Sequence, residues 1–262
     1  MLDDSPDVDA HRGVPGVLLR AVQLLRCFDA DTDTLTARQL VERSELPRST
    51  VHRMTADLVN LGLLTRSGNG RYAIGSLVWE LGHVSHIHLR LRQAAQVHLT
   101  RLYDACGENV FLTVMSTDAP ELAEALTVGQ LRGPRSVPVD EREGKRSPLS
   151  STSLGHALVS VQSDEWLERY IARATRGIGA GRDESAADLR RQIAAARNLG
   201  HATMLDDERA AVAVPIPSGD AFPDSSMGIV AARERWDEHR LVPLLKMTAL
   251  AIAKDLARPL SR

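Results

Sequence analysis

The stretch PRSTVHRMTADLVNLG, residues 47–62, constrains the fold of this chain more than any other part of the sequence. Read at helical spacing, it has an apolar face and a polar face. The apolar positions are Val51, Met54, Leu58 and Leu61, and the opposite positions are Ser49, His52, Arg53, Ala56 and Asn60. Pro47 suits the first helical position, and Gly62 suits the residue after the helix. A short helix with arginine and hydrogen-bonding groups in its first turns can enter the major groove of DNA.

The neighbouring residues strengthen this interpretation. Thr36 and Gln39 have the spacing of a capping box, which predicts a second short helix through Val41. Residues 44–46 leave room only for a tight connection before Pro47, so the pair is typical of a helix-turn-helix. Two short extended runs, residues 63–66 and 71–74, then flank a turn containing Asn-Gly, which is a strong hairpin signal. A hairpin directly after such a helix is a wing.

Charge favours DNA as the partner of this region. Four arginines and one acid, Asp57, fall between residues 47 and 72, although the whole chain has a net charge of −2. The alternative is a small helical subdomain without a nucleic-acid role, because the bare motif is not specific. We expect base-edge or phosphate contacts from the arginines, hydrogen bonds from the neighbouring polar residues, and backbone contacts from the wing. The candidate DNA-binding residues are Arg48, Ser49, Thr50, His52, Arg53, Arg66 and Arg71.

Length and composition set the wider limits. A chain of 262 residues with 43% hydrophobic content is typical of a soluble protein with two domains. No apolar run is long enough to cross a bilayer, and the acidic N-terminus has no secretory signal. Two distant cysteines, Cys27 and Cys106, make a disulfide framework or zinc site improbable. We therefore expect a cytoplasmic protein with no membrane partner, no metal and no cofactor.

The chain divides into four predicted segments. They are a disordered arm at 1–13, a mainly α-helical winged helix-turn-helix domain at 14–75, a linker helix at 76–89, and a second domain at 90–262. The first domain opens with an amphipathic helix at 17–28. His83 and His86 lie one turn apart in the linker and could chelate a metal, but an exposed or interfacial histidine patch is the more ordinary interpretation.

The second domain mixes strands and helices without regular alternation, which indicates an α+β fold. Predicted strands are residues 110–115, 121–128, 135–139, 211–216 and 227–232. Predicted helices are residues 91–105, 154–161, 163–172, one through 189–196 capped by Ser185, and 237–256. A glycine-rich loop is predicted at 175–184.

Three segments together resemble the IclR family of bacterial transcriptional regulators. They are LTARQLVERSELPRSTVHRMTADLVNLGLLTRSGNGRYAIG at 35–75, KRSPLSSTSLGHAL at 145–158, and LRRQIAAARNLGHA at 189–202 with the acidic residues 206–208 after it. The resemblance implies a winged helix-turn-helix, a linker helix and a ligand-sensing domain related to GAF domains. It also implies a homodimer or dimer of dimers on a palindromic double-stranded DNA operator. Small organic acids or aromatic metabolites would be the effectors.

The chain departs from the family pattern around the implied pocket. Ser150-Ser151 stands where His-Ala is common, and His156 replaces a lysine. The segment between Glu208 and Val212 lacks a glycine-containing loop, and residues 230–233 lack a Ser-x-Ser-Gly that helps to bind a carboxylate. These changes predict a pocket that is smaller, less polar, or not a carboxylate site.

The candidate effector-binding residues lie at a helix start and, by analogy, on two strand ends. They are Ser151, Thr152, Ser153, Leu154, Asp206 and Ala232. Free N–H groups at a helix N-terminus can hold an anion. The alternative is that the same hydroxyls simply cap the helix.

Enzyme activity is not expected. The serines at 150–153 with Asp206 could suggest a hydrolase, but nothing resembles a nucleophile elbow. The glycine run at 177–181 follows no strand and lacks the P-loop lysine. The sequence therefore predicts a DNA-binding regulator controlled by an effector. The alternative is a ligand sensor that uses its winged domain to bind protein, and salt dependence would distinguish the two.

Overall fold

The chain folds into two units, which meet in sequence between His86 and Ile87. The computed structural model describes residues 15–29, 32–84, 86–175, 182–217, 219 and 222–258, without the side chains of residues 86–88 and 182–184. The predicted arm at 1–13 and most of the predicted glycine-rich loop lie outside these residues. Among the helices that are described, none is long and apolar enough to cross a membrane.

The N-terminal unit is a winged helix-turn-helix. Its elements are α1 (Gly16–Leu25), β1 (Leu35–Thr36), α2 (Ala37–Ser44), α3 (Arg48–Asn60), β2 (Leu64–Arg66), β3 (Arg71–Ile74) and α4 (Ser76–Val84). The strands form an antiparallel sheet in the order β1-β3-β2. A core that includes Leu24, Leu40, Val51 and Leu64 joins helices to sheet. The first helix ends at Leu25 and not at the predicted residue 28, and its Val17 and Leu18 are exposed.

Local signals place the ends of α2 and α3. The predicted capping box is confirmed, since the Thr36 side chain accepts from the Gln39 N–H and Gln39 accepts from the Thr36 N–H. At the C-terminal end of α3, Gly62 has φ +74°. The N–H groups of Gly62 and Leu63 donate to the carbonyls of Val59 and Leu58, respectively. This is a Schellman ending, in which glycine avoids the left-handed penalty. Pro47 is the N-cap and not the first helical residue.

The prediction is wrong for one residue of the apolar face of α3. Leu61 is 63% exposed, because it follows the last helical turn. Thr55 takes the buried position instead, and its hydroxyl donates to the Val51 carbonyl at 2.8 Å. A threonine can be buried in a helix in this way because its own helix supplies the acceptor.

The C-terminal unit contains one six-stranded antiparallel sheet in the order β6-β5-β4-β9-β8-β7. Its strands are β4 (Asn109–Met115), β5 (Ala125–Leu131), β6 (Arg146–Ser147), β7 (Ala202–Leu205), β8 (Arg209–Ile216) and β9 (Ser225–Ala232). Its helices are α5 (His86–Cys106), α6 (Ser153–Ser160), α7 (Asp164–Ala174), α8 (Arg182–Leu199) and α9 (Glu238–Leu256).

Helices cover both faces of this sheet. Residues of α5 and α9 pack on the side of Val110 and Leu112, whereas α6 and α8 contribute to the cluster around Phe111. Because successive side chains of a strand point to opposite faces, β4 is buried along its whole length. The predicted combination of a winged domain and an α+β domain is confirmed.

Several boundaries in the C-terminal unit differ from prediction. Residues 135–139 do not form a strand, because Pro138 has no N–H to give to a ladder and the Val137 carbonyl accepts from the Asn109 side chain. The strand that pairs with β5 at that edge of the sheet is β6 instead. The strand predicted at 121–128 begins only at Ala125, and β7 was not predicted. Ser185 lies inside α8 and does not cap it.

The predicted linker helix at 76–89 corresponds to α4 and the start of α5, on either side of residue 85, which lies outside the described residues. Helix α4 ends at Val84 and α5 begins at His86, so the second helix starts earlier than the predicted residue 91. His83 stacks on Trp79, with ring centroids 5.0 Å apart. The side chain of His86 lies outside the described residues, and the described residues contain no group of three potential metal ligands.

Candidate DNA interface and effector pocket

The outer face of α3 carries side chains that the fold does not use. Arg48, Ser49, His52 and Arg53 are exposed and Thr50 is half-buried, while Val51 and Met54 face the core. Within the described residues, the guanidinium groups of Arg48 and Arg53 make no hydrogen bond or ion pair. Pro47 also leaves the first N–H groups of α3 without a side-chain cap. This face therefore offers cations and N–H groups to an anionic partner.

The two wing arginines have different surroundings. Arg66 is exposed, with its guanidinium carbon 5.7 Å from the centre of the Tyr72 ring. Arg71 instead donates from Nε to the Thr34 hydroxyl at 2.9 Å and from Nη2 to the Thr34 carbonyl at 2.8 Å. These two bonds show that the Arg71 guanidinium holds the loop before β1, and its predicted contact with the DNA backbone stays a prediction.

A cavity of about 420 Å³ lies at the start of α6 in the C-terminal unit. Its walls come from the start of α6, the residues around β6, the β7–β8 hairpin, and β4 and β9. The lining residues are Phe111, Val139, Asp140, Glu141, Lys145, Arg146, Ser147, Pro148, Ser151, Thr152, Ser153, Leu154, Met204, Leu205, Asp206, Arg209, Ala211 and Val230.

Five of the six predicted effector residues line this cavity, and Ala232 does not. Val230 is on the same face of β9 as Ala232, because side chains alternate along a strand. The cavity reaches Val230 and stops before Ala232, which pairs with Arg209 at the end of the ladder. On β9, Val230 lines the cavity, and the predicted role of Ala232 in effector binding stays a prediction.

The hydroxyls at the start of α6 serve the helix itself. Thr152 is the N-cap and accepts from the Gly155 N–H at 3.0 Å. The Ser151 hydroxyl donates to the Pro148 carbonyl at 2.9 Å, and Ser153 is buried. Among the described residues, the N–H groups of Ser153 and Leu154 have no acceptor. The capping interpretation is correct for Thr152, and these two N–H groups remain available to an anion.

Asp206 shapes the β7–β8 hairpin. Its carboxylate accepts from the backbone N–H groups of Arg209 at 2.6 Å and Glu208 at 2.9 Å, and it forms an ion pair with the Arg209 side chain at 3.1 Å. The hydrogen bonds from the Arg209 and Glu208 backbones hold the pKa of Asp206 below its usual value. Asp206 therefore positions Arg209 at the pocket and turns the chain without the glycine-containing loop.

His156 and Tyr170 hold the segment that leads into α6. His156 is buried, with Nε2 3.1 Å from the Ser150 carbonyl, and this burial lowers its pKa. The Tyr170 hydroxyl accepts from the Ser150 N–H at 2.9 Å. Gly155 is required here, since an added Cβ would lie 2.3 Å from the Leu149 carbonyl oxygen. His156 therefore supports the segment before α6 through Ser150 and does not line the cavity.

Comparison with protein families decides the identity of both units. The model of the IclR helix-turn-helix domain matches residues 17–68, and the model of the bacterial transcriptional regulator IclR C-terminal domain matches residues 83–258. This chain belongs to the IclR family. The family consists of transcriptional regulators and not of enzymes, so the predicted DNA-binding regulator is confirmed.

Individual relatives cover most of the chain. The HTH-type transcriptional regulator KipR of Bacillus subtilis is 26% identical over 249 residues, which are 94% of this chain and 95% of KipR. The Pca regulon regulatory protein of Pseudomonas putida is 31% identical over 158 residues, covering 60% of this chain and 52% of that protein. An IclR homolog from Microbacterium hydrocarbonoxydans, solved in complex with 4-hydroxybenzoate, is 28% identical with a TM-score of 0.75, covering 92% of this chain and 98% of the homolog.

Sequence reasoning missed most of the charged lining of the pocket. Glu141 and Lys145 come from the loop before β6, Arg146 comes from β6, and Arg209 comes from β8. The run DEREGKRSP at 140–148 could have indicated this charged lining. So many charged residues directly before the predicted pocket helix are expected to lie at the entrance of the pocket.

Proposed function

We propose that this IclR-family regulator binds a palindromic operator in the cytoplasm as a homodimer or dimer of dimers. A small molecule in the C-terminal pocket would modulate its operator affinity. The proposal of DNA binding rests on the outer face of α3. There Arg48 and Arg53 are exposed and have no partner within the described residues. Two such helices in a dimer would enter major grooves about one helical turn apart.

The side chains of this face would divide the contacts to DNA. Arg53 would reach a guanine edge, and Arg48 with the uncapped N–H groups of α3 would bind phosphate. Ser49, Thr50 and His52 would add hydrogen bonds from the same face. Arg66 would contact the backbone from the wing.

Arg71 would also contact the DNA backbone, as predicted, and would hold the wing in place. Its two hydrogen bonds to Thr34 hold the loop before β1 against β3, which carries one side of the wing. A wing fixed in this way reduces the ordering cost of binding.

The effector would be an organic acid, most simply one with a single aromatic ring. The cavity of about 420 Å³ suits such a molecule, and Phe111, Leu154 and Val230 give it apolar walls. The N–H groups of Ser153 and Leu154 would hold the acid group at the start of α6. The Microbacterium homolog complexed with 4-hydroxybenzoate supports this class of ligand. An effector of this kind must bind one arrangement of the regulator more tightly than another, or operator affinity would not change.

The test is binding of the purified protein to DNA from its own upstream intergenic region. Fluorescence anisotropy would be measured between about 50 and about 200 mM salt, where a regulator contacting several phosphates should lose affinity on the order of 10³-fold. A scrambled fragment of the same length is the competitor. Binding that is salt-sensitive and selective supports the proposal. Equal affinity for operator and scrambled DNA, over a panel of genomic fragments and with aromatic acids added, would refute it.

A further inference from the structure

The charged groups that line the pocket are not equally neutralised. Each of the three cations has an acidic partner: Lys145 with Asp140 at 2.6 Å, Arg146 with Glu124 at 3.2 Å, and Arg209 with Asp206 at 3.1 Å. Two of the three lining carboxylates, Asp140 and Asp206, belong to these pairs. The third lining carboxylate is Glu141.

Within the described residues, the Glu141 carboxylate is held only by neutral hydroxyls. One carboxylate oxygen accepts from the Thr127 hydroxyl, and the other accepts from the Ser147 hydroxyl at 3.1 Å. Arg132 donates to the carbonyl of Glu141 and not to its carboxylate. Within the described part of the chain, Glu141 has no ion pair. A carboxylate offers about four acceptor positions, so about two remain open.

The loop that carries Glu141 is fixed in place. The Thr127 N–H donates to the Lys145 carbonyl at 3.0 Å, and the Gly144 N–H donates to the Thr127 carbonyl at 2.8 Å. The Glu143 side chain accepts from the Gln130 N–H at 3.3 Å. These bonds attach the loop to β5, so the Glu141 carboxylate is positioned before any ligand arrives.

We propose that Glu141 determines which acids the pocket accepts. It favours an effector that carries a hydrogen-bond donor, a hydroxyl or an ammonium group, in addition to its own acid group. It disfavours an effector with a second anionic group at that position. This inference rests on the proposed effector site and adds a second polar subsite to the N–H groups of Ser153 and Leu154.

The physical basis is the sign of the unpaired charge. A donor that reaches Glu141 forms a charge-assisted hydrogen bond, which is stronger than a bond between neutral groups. A ligand without a donor leaves the partly buried carboxylate desolvated and gains nothing in return. A second ligand carboxylate would add like-charge repulsion inside a cavity, where water screens it poorly.

The experiment measures calorimetric affinities for three acids that share one ring. Benzoate has no second polar group, 4-hydroxybenzoate has a donor, and terephthalate has a second anion. The proteins are the full-length wild type, Glu141→Gln and Asp207→Asn. The glutamine is nearly isosteric; its carbonyl oxygen can accept from one of the two hydroxyls of Thr127 and Ser147, and its NH2 group can donate to the oxygen of the other. The asparagine removes one exposed charge from the hairpin beside the pocket, at a position that does not line it.

The wild type should bind 4-hydroxybenzoate at least about tenfold more tightly than benzoate, and benzoate at least about tenfold more tightly than terephthalate. Glu141→Gln should reduce both ratios to about threefold or less, while its benzoate affinity stays within about threefold of wild type. Asp207→Asn should keep the wild-type ratios. An unchanged melting temperature and operator affinity would establish that the variants are folded.

The two proposals fail in different ways. If the acids bind but the wild type does not distinguish them, or if Glu141→Gln keeps the wild-type ratios, the role of Glu141 is overturned and the effector site stands. If none of the three acids binds to any of the proteins, the aromatic-acid site itself is overturned, and the role of Glu141 is overturned with it. Operator binding is measured separately and is unaffected by either outcome.

Discussion

Replacement of Arg53 by alanine separates DNA recognition from folding. Arg53 is exposed on α3 and makes no hydrogen bond or ion pair within the described residues. Truncation of such a side chain should change the free energy of unfolding by less than about 0.5 kcal/mol. The loss of a bidentate guanine contact should cost about 1–3 kcal/mol per half-site. A symmetric dimer loses two contacts, or about 2–6 kcal/mol, which corresponds to a decrease in affinity of between about 30-fold and about 2 × 10⁴-fold.

Anisotropy titrations of Arg53→Ala with operator and with scrambled DNA would measure this loss. If Arg53 reads a base, operator affinity falls and affinity for the scrambled fragment changes little. If Arg53 binds phosphate, both affinities fall together and the salt slope decreases by about one for each contact. Arg191→Ala is the control, because it removes another exposed arginine, paired with Asp188 at 2.6 Å, from α8 in the C-terminal unit. The control should bind operator within about twofold of wild type.

Two results would refute the reasoning about Arg53. Operator affinity within about threefold of wild type would mean that α3 does not present this arginine to DNA. A melting temperature several degrees lower would mean that Arg53 supports the fold, and the loss of binding could then not be assigned to a DNA contact.

Three other side chains allow tests of stability. Arg71→Ala removes two hydrogen bonds to Thr34 and should lower the free energy of unfolding of the N-terminal unit by about 1–2 kcal/mol in a urea titration; an unchanged midpoint would contradict the assigned role. Arg235→Met leaves the buried carboxylate of Glu108 without its bidentate partner at 2.7 and 2.9 Å and should lower the free energy of unfolding by about 2–4 kcal/mol. Addition of Glu108→Gln should recover at least half of that loss in thermal denaturation, and no recovery would argue against the pairing. Burial lowers the pKa of His156 in the folded state, so the unfolded state binds more protons and stability should decrease as the pH falls below about 6.5. Urea midpoints at several pH values should show this decrease, and His156→Gln should weaken it; an equally steep decrease in the variant would assign it to other groups.

The winged domain could be predicted from sequence because its signals are local. The capping box of Thr36 and Gln39, the helix stop at Gly62 and the Asn-Gly turn each act within a few residues. The prediction failed where the apolar spacing of a helix continued beyond the last residue of that helix. Leu61 continues the apolar spacing of α3, but it lies after the helix and is exposed.

The C-terminal unit was harder to predict because its decisive contacts are distant in sequence. The edge strand β6 has only two residues, and it exists because Arg146 and Ser147 pair with Leu126 and Ala125. A strand of that length has no periodicity to detect. The position of Glu141 likewise depends on Thr127, which is 14 residues away.

The pocket also shows why residue type alone did not identify the groups that we propose for ligand binding. Ser151 and Thr152 look available in the sequence, but their hydroxyls are engaged with the Pro148 carbonyl and the Gly155 N–H. An N-cap hydroxyl accepts from one of the first N–H groups of the helix, which have no partner within the helix, and a serine hydroxyl in a turn can donate to a nearby backbone carbonyl. Among the described residues that line the pocket, the N–H groups of Ser153 and Leu154 and the carboxylate of Glu141 keep hydrogen-bonding positions open, and these are the groups that we propose for ligand binding. Specificity in this pocket should therefore follow the unfilled hydrogen-bonding positions and not the abundance of polar residues around it.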